Sequence, residues 1–489
     1  MVVAATLIVI LTFLWIYFLW SRRKYYAFAL KMPGPLGFPI IGIVHKLFNL
    51  ADVLYELPKY AIQNNLKSYF SWLGPYPMVY TMDPKIAEII LTSPDCIDKS
   101  CIYDAINDIV GPGILTIKAP GWNHHRKLLN PAFSHKVLLG FFPLFNRHID
   151  EFCEKLEQNV DCGEVNVKDL VCNLSLTTSV ATTMGLDFEK ESSTKFLGLC
   201  ERMLEMTTQR VLNPFLANDT IFRTTKLHKP FSELKDSVLG FAHSLVMKRI
   251  KAIEHNEPSE NKPNHNIFID HVIKIHQNNE YTFDDIISEG NIMVFAAFET
   301  TATTMFSTLM LLAMHPEYQE KVFDEILTIF PNKDFEVKYE DFKNLVYLEM
   351  CINETLRIFA SIPMIGRNCS KDIPISKDIV IPKGTQVIVD IFNIQRDEDI
   401  WGPDAATFNP DHFLPSNLIG HHSYSFIPFS KGPRNCIGWQ YARIFLRIAL
   451  AQVIRKYRFT TKFKFEDIRC VEHITLRYEK LPLLEVHKR

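Results

Sequence analysis

Cys436 stands in the stretch FSKGPRNCIG, Phe429 to Gly438, with two glycines, a proline and two cations for company. A buried structural cysteine behaves as a small hydrophobe and gains nothing from flanking charge. A thiolate gains from both features, because cations lower its pKa and glycines let backbone approach the sulfur. The following residues, IGWQYARIFLRIALAQVIRKY, are apolar at helical spacing through Phe445, Leu446, Leu450 and Val453. That spacing places the sulfur at a helix N-terminus, where free N–H groups and the helix dipole favour negative charge. Such a thiolate is a ligand for a soft metal centre.

A second reactive group lies in an apolar run. Asn291 to Pro316 reads NIMVFAAFETTATTMFSTLMLLAMHP, and with the residues before it predicts a helix of about thirty residues, about 45 Å long. Glu299, Thr300 and Thr301 interrupt its apolar surface, and a carboxylate there is costly unless hydrogen-bonded or used. An acid beside a hydroxyl can relay protons. The plainer alternative is threonine bonding back to its own helix carbonyls. Two spaced pairs complete the set. Glu354 and Arg357 at i, i+3 share a helix face, a pairing worth under about 1 kcal/mol on a surface. Trp122 and Arg126 at i, i+4 in WNHHR suit a cation–π contact.

The elements that must position these groups belong to a chain of 489 residues, 47% hydrophobic, with a net charge of −2. Such a balance points away from nucleic acid. The ten cysteines are scattered without CxxC or a Cys/His cluster, so they read as reduced thiols in a cytosol-facing body. Residues 2 to 20 carry no charge and span about 28 Å as a helix, close to the bilayer core. Arg22, Arg23 and Lys24 follow, and the positive-inside rule then places the body in the cytosol. A basic n-region and a small-residue cleavage site are missing, so the segment reads as an uncleaved signal anchor. Lys31 to Gly42, with three prolines and three glycines, reads as a stiff non-helical linker. His255 to Asn266 reads as a solvated loop. Short strands such as Gln386 to Asp390 are expected mainly in the last third. Val211 to Phe222, apolar but broken by Pro214, reads either as an ordinary interhelical loop or as a membrane-dipping lip around a substrate entrance.

Together these residues resemble the cytochrome P450 superfamily over essentially the whole chain. Phe429, Gly432, Arg434, Cys436 and Gly438 match every fixed position of the family's haem-ligand loop. The resemblance implies that Cys436 is the axial thiolate, that Phe429 packs near the sulfur, and that Arg434 pairs with a haem propionate. It implies that Trp122 and Arg126 contact a propionate and that Arg367, in IPMIGRN, binds the other. Glu354-x-x-Arg357 is similar to the buried ExxR pair, whose third partner in the meander FNPDHFLP is His412 where many members have Arg, so that partner can titrate near pH 7. AAFETT is similar to the oxygen-activation motif, which gives Glu299 and Thr300 the delivery of protons. Ala297 replaces the motif's usual Gly, so a shallower helical kink is expected. Ala296 lies where many family 4 members have a Glu that esterifies the haem, so non-covalent haem b is expected. WNHHRKLLNPAFSHKVL, ETLRIFASIPMIGRN and FNPDHFLPSN look like the family 4 clan, especially its insect-type members.

The expected fold is mainly α (α+β), a P450 fold with a large helical domain and a small β-rich part. The expected divisions are a transmembrane anchor at 1–21, a basic and proline-rich linker at 22–42, and the haem-thiolate domain at 43–489. The resemblance implies a monooxygenase of the endoplasmic reticulum membrane acting with O2 on a hydrophobic substrate: a fatty acid, lipid hormone or xenobiotic. The chain shows no GxGxxG or other nicotinamide site. Electrons would therefore come from NADPH through a separate P450 reductase, with cytochrome b5 as a second donor. Lys127, Lys136, Lys431, Arg443 and Arg447 are candidates for a basic docking face. Two rivals stay open: a haem-thiolate isomerase or dehydratase acting on peroxides, and a non-catalytic haem- or lipid-binding protein.

Overall fold

A computed structural model of the chain describes residues 2–47, 52–187, 190–255 and 267–489. It is about 59% helical with a small β part. The apolar N-terminal run forms the helix Val2–Ser21. Its Val3–Ser21 window has a mean hydropathy of 2.3 and buries none of its length in the protein. The helix Phe283–Met314 is the other helix apolar enough to span a bilayer, among the described residues, but 78% of its window is buried, so it is the core helix of the body.

The segment after the apolar N-terminal helix is docked on the body. Arg23–Ala29 is helical, and Phe28 is buried edge-on against Phe70 at 5.4 Å. The Pro/Gly stretch then runs beside the strand Ser68–Leu73: Phe70 N–H donates to Met32 O at 3.3 Å, and Ile43 N–H to Trp72 O at 2.9 Å. A Cβ on Gly42, at φ +58°, would lie 1.9 Å from Trp72 O, so only glycine permits this approach.

Strands are not confined to the last third. The four-stranded sheet runs in the order Ser68–Leu73, Tyr76–Thr81, Gln386–Asp390, Met364–Asn368. The first two form an antiparallel hairpin, and Tyr76–Thr81 pairs in parallel with Gln386–Asp390. Both faces of these early strands are covered, so SYFSWL and YPMVYT lack the polar/apolar alternation that marks a strand in sequence. The sheet matters to the site because Met364–Asn368 carries Arg367.

The helical body surrounds Phe283–Met314, which is α-helical without a break through Ala297. A capping box between Thr282 and Asp285 starts it, satisfying free N–H groups of its first turn. Met305, Phe306, Leu309, Met310 and Leu311 are buried in the main core. Val211 to Phe222 is neither a plain loop nor one helix. It ends the helix Lys190–Leu212 and then makes two single turns, Pro214–Ala217 and Asp219–Phe222, capped by the side chains of Asn213 and Asn218. Phe215 and Ile221 point outward, while Phe222 is buried. Of the loop expected at His255 to Asn266, all but His255 lies outside the described residues.

Candidate active site

Residues 429–438 form a tight turn leading into the helix Trp439–Lys456. Cys436 N–H donates to Phe429 O at 2.9 Å, and Asn435 N–H to Gly432 O at 3.1 Å. Gly432 has φ +77°, and a Cβ there would sit 2.0 Å from Leu91 O, so backbone closeness dictates the residue. Gly438 is the N-cap, which places Cys436 just before the helix start. The Cys436 side chain is exposed, yet surrounding protein desolvates its sulfur. Burial raises the thiol pKa, against lowering by the Gly438 N–H, Arg126 and Lys99. A bound metal ion would hold such a sulfur as the thiolate.

Positive charge is concentrated beside this loop. Arg434 donates to the carbonyls of Leu115, at 3.3 Å, and Ile117, and its Cζ lies 4.7 Å from the Trp122 ring centroid. Arg126 donates to Asn435 O at 2.8 Å and to Asn435 Oδ1 at 2.9 Å, so it braces the loop itself. Arg367 is buried and donates to Gly366 O at 3.0 Å. Lys99 pairs with it as an isolated antiparallel bridge. Burial depresses all four cations. Lys99 is lowered further by Arg367 and Arg434, and Arg434 is brought down to about 9 by burial and then by Arg367. Arg434 Nε and Arg367 Nη2 are buried without a hydrogen-bond partner among the described residues. Cations that depress one another and leave donors unpaired call for an anionic guest. Haem offers two carboxylates to these cations and an iron to Cys436, so this donor set fits it. No motif marks Lys99 in the sequence; an isolated backbone bridge to Arg367 brings it here.

On the long helix, Ala296 is exposed between half-buried Phe295 and Ala297, and Thr300 is half-buried. Four residues apart, they share one face. Thr300 Oγ1 donates to Ala296 O at 2.9 Å, Thr304 Oγ1 to Thr300 O at 2.9 Å, and Thr308 Oγ1 to Thr304 O at 2.9 Å. The back-bonding weighed for these threonines is thus present. Glu299 turns another way. Its Oε1 accepts from Arg477 Nη2 at 3.0 Å and from Thr475 Oγ1 at 3.3 Å, and Arg477 also holds Glu201 at 2.7 Å. The acid is anchored to the strand Thr475–Tyr478, and no hydrogen bond joins it to Thr300 among the described residues.

Glu354 and Arg357 on the helix Val346–Ile358 have fully buried side chains. Arg357 Nε donates to Glu354 Oε2, and its Nη2 to Glu354 Oε1, both at 2.7 Å. Arg357 also donates to the carbonyls of Gln395 at 2.8 Å, Ala405 at 2.6 Å and Thr407 at 3.0 Å. His412 Nδ1 lies 3.0 Å from Glu354 Oε1, and its Nε2 lies 3.1 Å from Asp404 Oδ1. Burial alone would lower the imidazole pKa, but the hydrogen bond and charge of Glu354 outweigh it and raise His412. This cluster ties the meander to the helical body.

Three of the five cations expected on the docking face are engaged within the protein. Arg443 and Arg447 both pair with Glu349 of the helix Val346–Ile358, and Lys431 donates to Ser423 O. Their i, i+4 spacing is visible in sequence, but the carboxylate they bracket lies on another helix. Lys127 and Lys136 are exposed.

A mostly helical body, a cysteine turn on a helix N-terminus and an anion-seeking cradle of cations define a haem-thiolate protein. The chain belongs to the cytochrome P450 family, whose model matches residues 32–481. It is 43% identical over 485 residues to the probable cytochrome P450 313a4 of Drosophila melanogaster, covering 98% of each chain. It is 36% identical to the probable cytochrome P450 313a2 of the same species, covering 100% of each. The cytochrome P450 4c21 of Blattella germanica is more distant, at 29% identity and 89% coverage of each. The protein is therefore a haem monooxygenase that works with redox partners, O2 and hydrophobic substrates.

Proposed function

We propose that this chain is a membrane-anchored monooxygenase that oxidises a fatty acid, lipid hormone or xenobiotic with electrons from NADPH. The observation that carries the reading is the convergence of unpaired, buried cation donors on the Cys436 turn. Cys436 would hold the iron of a non-covalent haem b. Arg434, Arg367 and Lys99 would hold its carboxylates, Trp122 stacks on Arg434, and Arg126 braces the turn; Phe429, Gly432 and Gly438 shape it. Bound haem supplies O2 activation and C–H oxidation, which no side chain can perform. Exposed Phe215 and Ile221 and the apolar helix Val2–Ser21 support contact with a bilayer, in the endoplasmic reticulum membrane with the body in the cytosol. Reconstitution with NADPH and P450 reductase, across a panel of lipids, terpenoids and xenobiotics, tests the reading. Product formed from a peroxide without NADPH or O2 would replace it with the isomerase alternative, and the absence of any product would leave a non-catalytic binder.

Protons reach the site from the side of Glu299. Arg477 and Thr475 hold that carboxylate to the strand Thr475–Tyr478, and Thr300 is the hydroxyl next to it in sequence, on the face it shares with exposed Ala296. Thr300→Ala is expected to keep the haem and its spectrum but to uncouple the cycle, with NADPH consumed and peroxide released in place of product. Glu299→Gln is expected to slow turnover about 10²-fold by removing the titratable group. Normal rate and coupling in both variants would mean that protons travel another way.

Lys127 and Lys136 are the exposed cations offered to an acidic reductase, with cytochrome b5 as a second donor at the same face. Complementary charge acts mainly on association rate and is screened beyond about 10 Å at 0.1 M salt. Reversing both lysines to Glu is expected to raise the apparent KM for reductase several-fold and flatten its salt dependence, while peroxide-driven turnover stays unchanged. Equal losses in both assays would remove the docking assignment.

A further inference from the structure

Glu289 is a fully buried carboxylate two to three turns before the acid–alcohol pair on the long helix, and the reaction as read above gives it no task. Its Oε1 accepts from Ile114 N–H at 2.9 Å and lies 2.7 Å from His125 Nδ1. Its Oε2 is buried without a hydrogen-bond partner among the described residues. His125 packs against Tyr281 with ring centroids 4.4 Å apart and planes tilted by 33°. The groups that act electrostatically on Glu289 are His125 from the helix Gly121–Leu129, Tyr281 before the long helix and Asp285 on it. A core carboxylate with one oxygen left bare is expensive, so its two contacts need an explanation.

Both contacts lead to Arg434. Ile114 begins the turn whose next carbonyls, Leu115 and Ile117, receive the Arg434 guanidinium. His125 lies on the same short helix as Trp122, whose ring stacks on Arg434, and beside Arg126, which braces Asn435. The turn is pressed onto the long helix: a Cβ on Gly113 would lie 2.5 Å from Ile292 Cδ1 and 3.0 Å from Glu289 Cδ. Asn291 Nδ2 adds bonds to the carbonyls of Ile109, at 3.3 Å, and Val110, at 3.2 Å. We propose that Glu289 is a positioning residue for haem retention: through Ile114 and His125 it registers both walls of the Arg434 cradle against the long helix. This rests on the haem-thiolate reading of Cys436.

The test measures haem loss from the purified full-length holoprotein to excess apomyoglobin, with the carbon monoxide spectrum as a check on loading. His125→Phe keeps the ring against Tyr281 and removes only the bond to Glu289. It is expected to speed haem loss about tenfold, the scale seen when outer partners of a ligand are removed. Arg434→Lys is expected to speed it as well, and the double variant to exceed the faster single by no more than about twofold, because both act on one element. Glu289→Gln keeps an oxygen for Ile114 and is expected to fall between wild type and His125→Phe. A wild-type rate in His125→Phe, or a double variant equal to the product of the singles, overturns the proposal. A wild-type protein that loads no haem would instead sink the haem-thiolate reading beneath it.

Discussion

Cys436→Ala is expected to abolish the red-shifted Soret band that the reduced wild-type protein shows with carbon monoxide. The band reports electron donation from a thiolate to iron, and the cysteines beside Arg367 are already engaged with each other. Cys96 and Cys369, the pair near Arg367, are buried against each other with sulfurs 3.7 Å apart. Cys470 and Cys351 are buried elsewhere in the core. Alanine keeps the backbone bond from residue 436 to Phe429 O, so the turn persists while the ligand is lost. Haem content should fall to background, and a retained band would remove Cys436 from its assignment. The same wild-type preparation tests the attachment: acid–organic extraction should release all its haem, because Ala296 offers no carboxylate for an ester. Haem remaining on the polypeptide would mean that another residue forms the bond.

The parts of the site legible in sequence are those encoded over short spans. The Cys436 turn, the Glu354–Arg357 pair, Trp122 with Arg126, and the long helix each need fewer than about ten residues of pattern, or a sustained helical period, to be seen. What escaped is partner choice across the fold. Glu299 is held by Arg477, 178 positions away, and its identity as an acid says nothing of that restraint. Lys99 joins the cradle through an isolated backbone bridge to Arg367. Arg443 and Arg447 look like surface cations until Glu349 is brought between them by helix packing. The early hairpin was hidden for a related reason, since strands covered on both faces lose the alternation that announces them. Local chemistry is written in local sequence, whereas the topology decides which charges are free.

Glu354→Gln is expected to destabilise the protein by about 3–5 kcal/mol, the cost of breaking a buried ion pair while leaving its partner charged. Arg357 would keep its three carbonyl acceptors but lose the only carboxylate it contacts among the described residues. The size of the loss follows from burial, because both side chains are fully shielded and no solvent can repay the charge. His412 adds a pH dependence. Its folded pKa is raised above the ordinary 6.5, so its contribution is complete below about pH 6.5 and is lost as pH rises through the folded value. The midpoint for thermal loss of the thiolate Soret band should therefore decline as pH rises from about 6.5 into the alkaline range. His412→Arg supplies a cation that does not titrate there, and its midpoint should hold where the wild type falls. Asp404, 3.1 Å from His412 Nε2, would remain as a second acceptor for that guanidinium. Parallel declines in wild type and His412→Arg would show that the pH sensitivity belongs to another group and that His412 serves the meander only as a neutral hydrogen-bonding side chain.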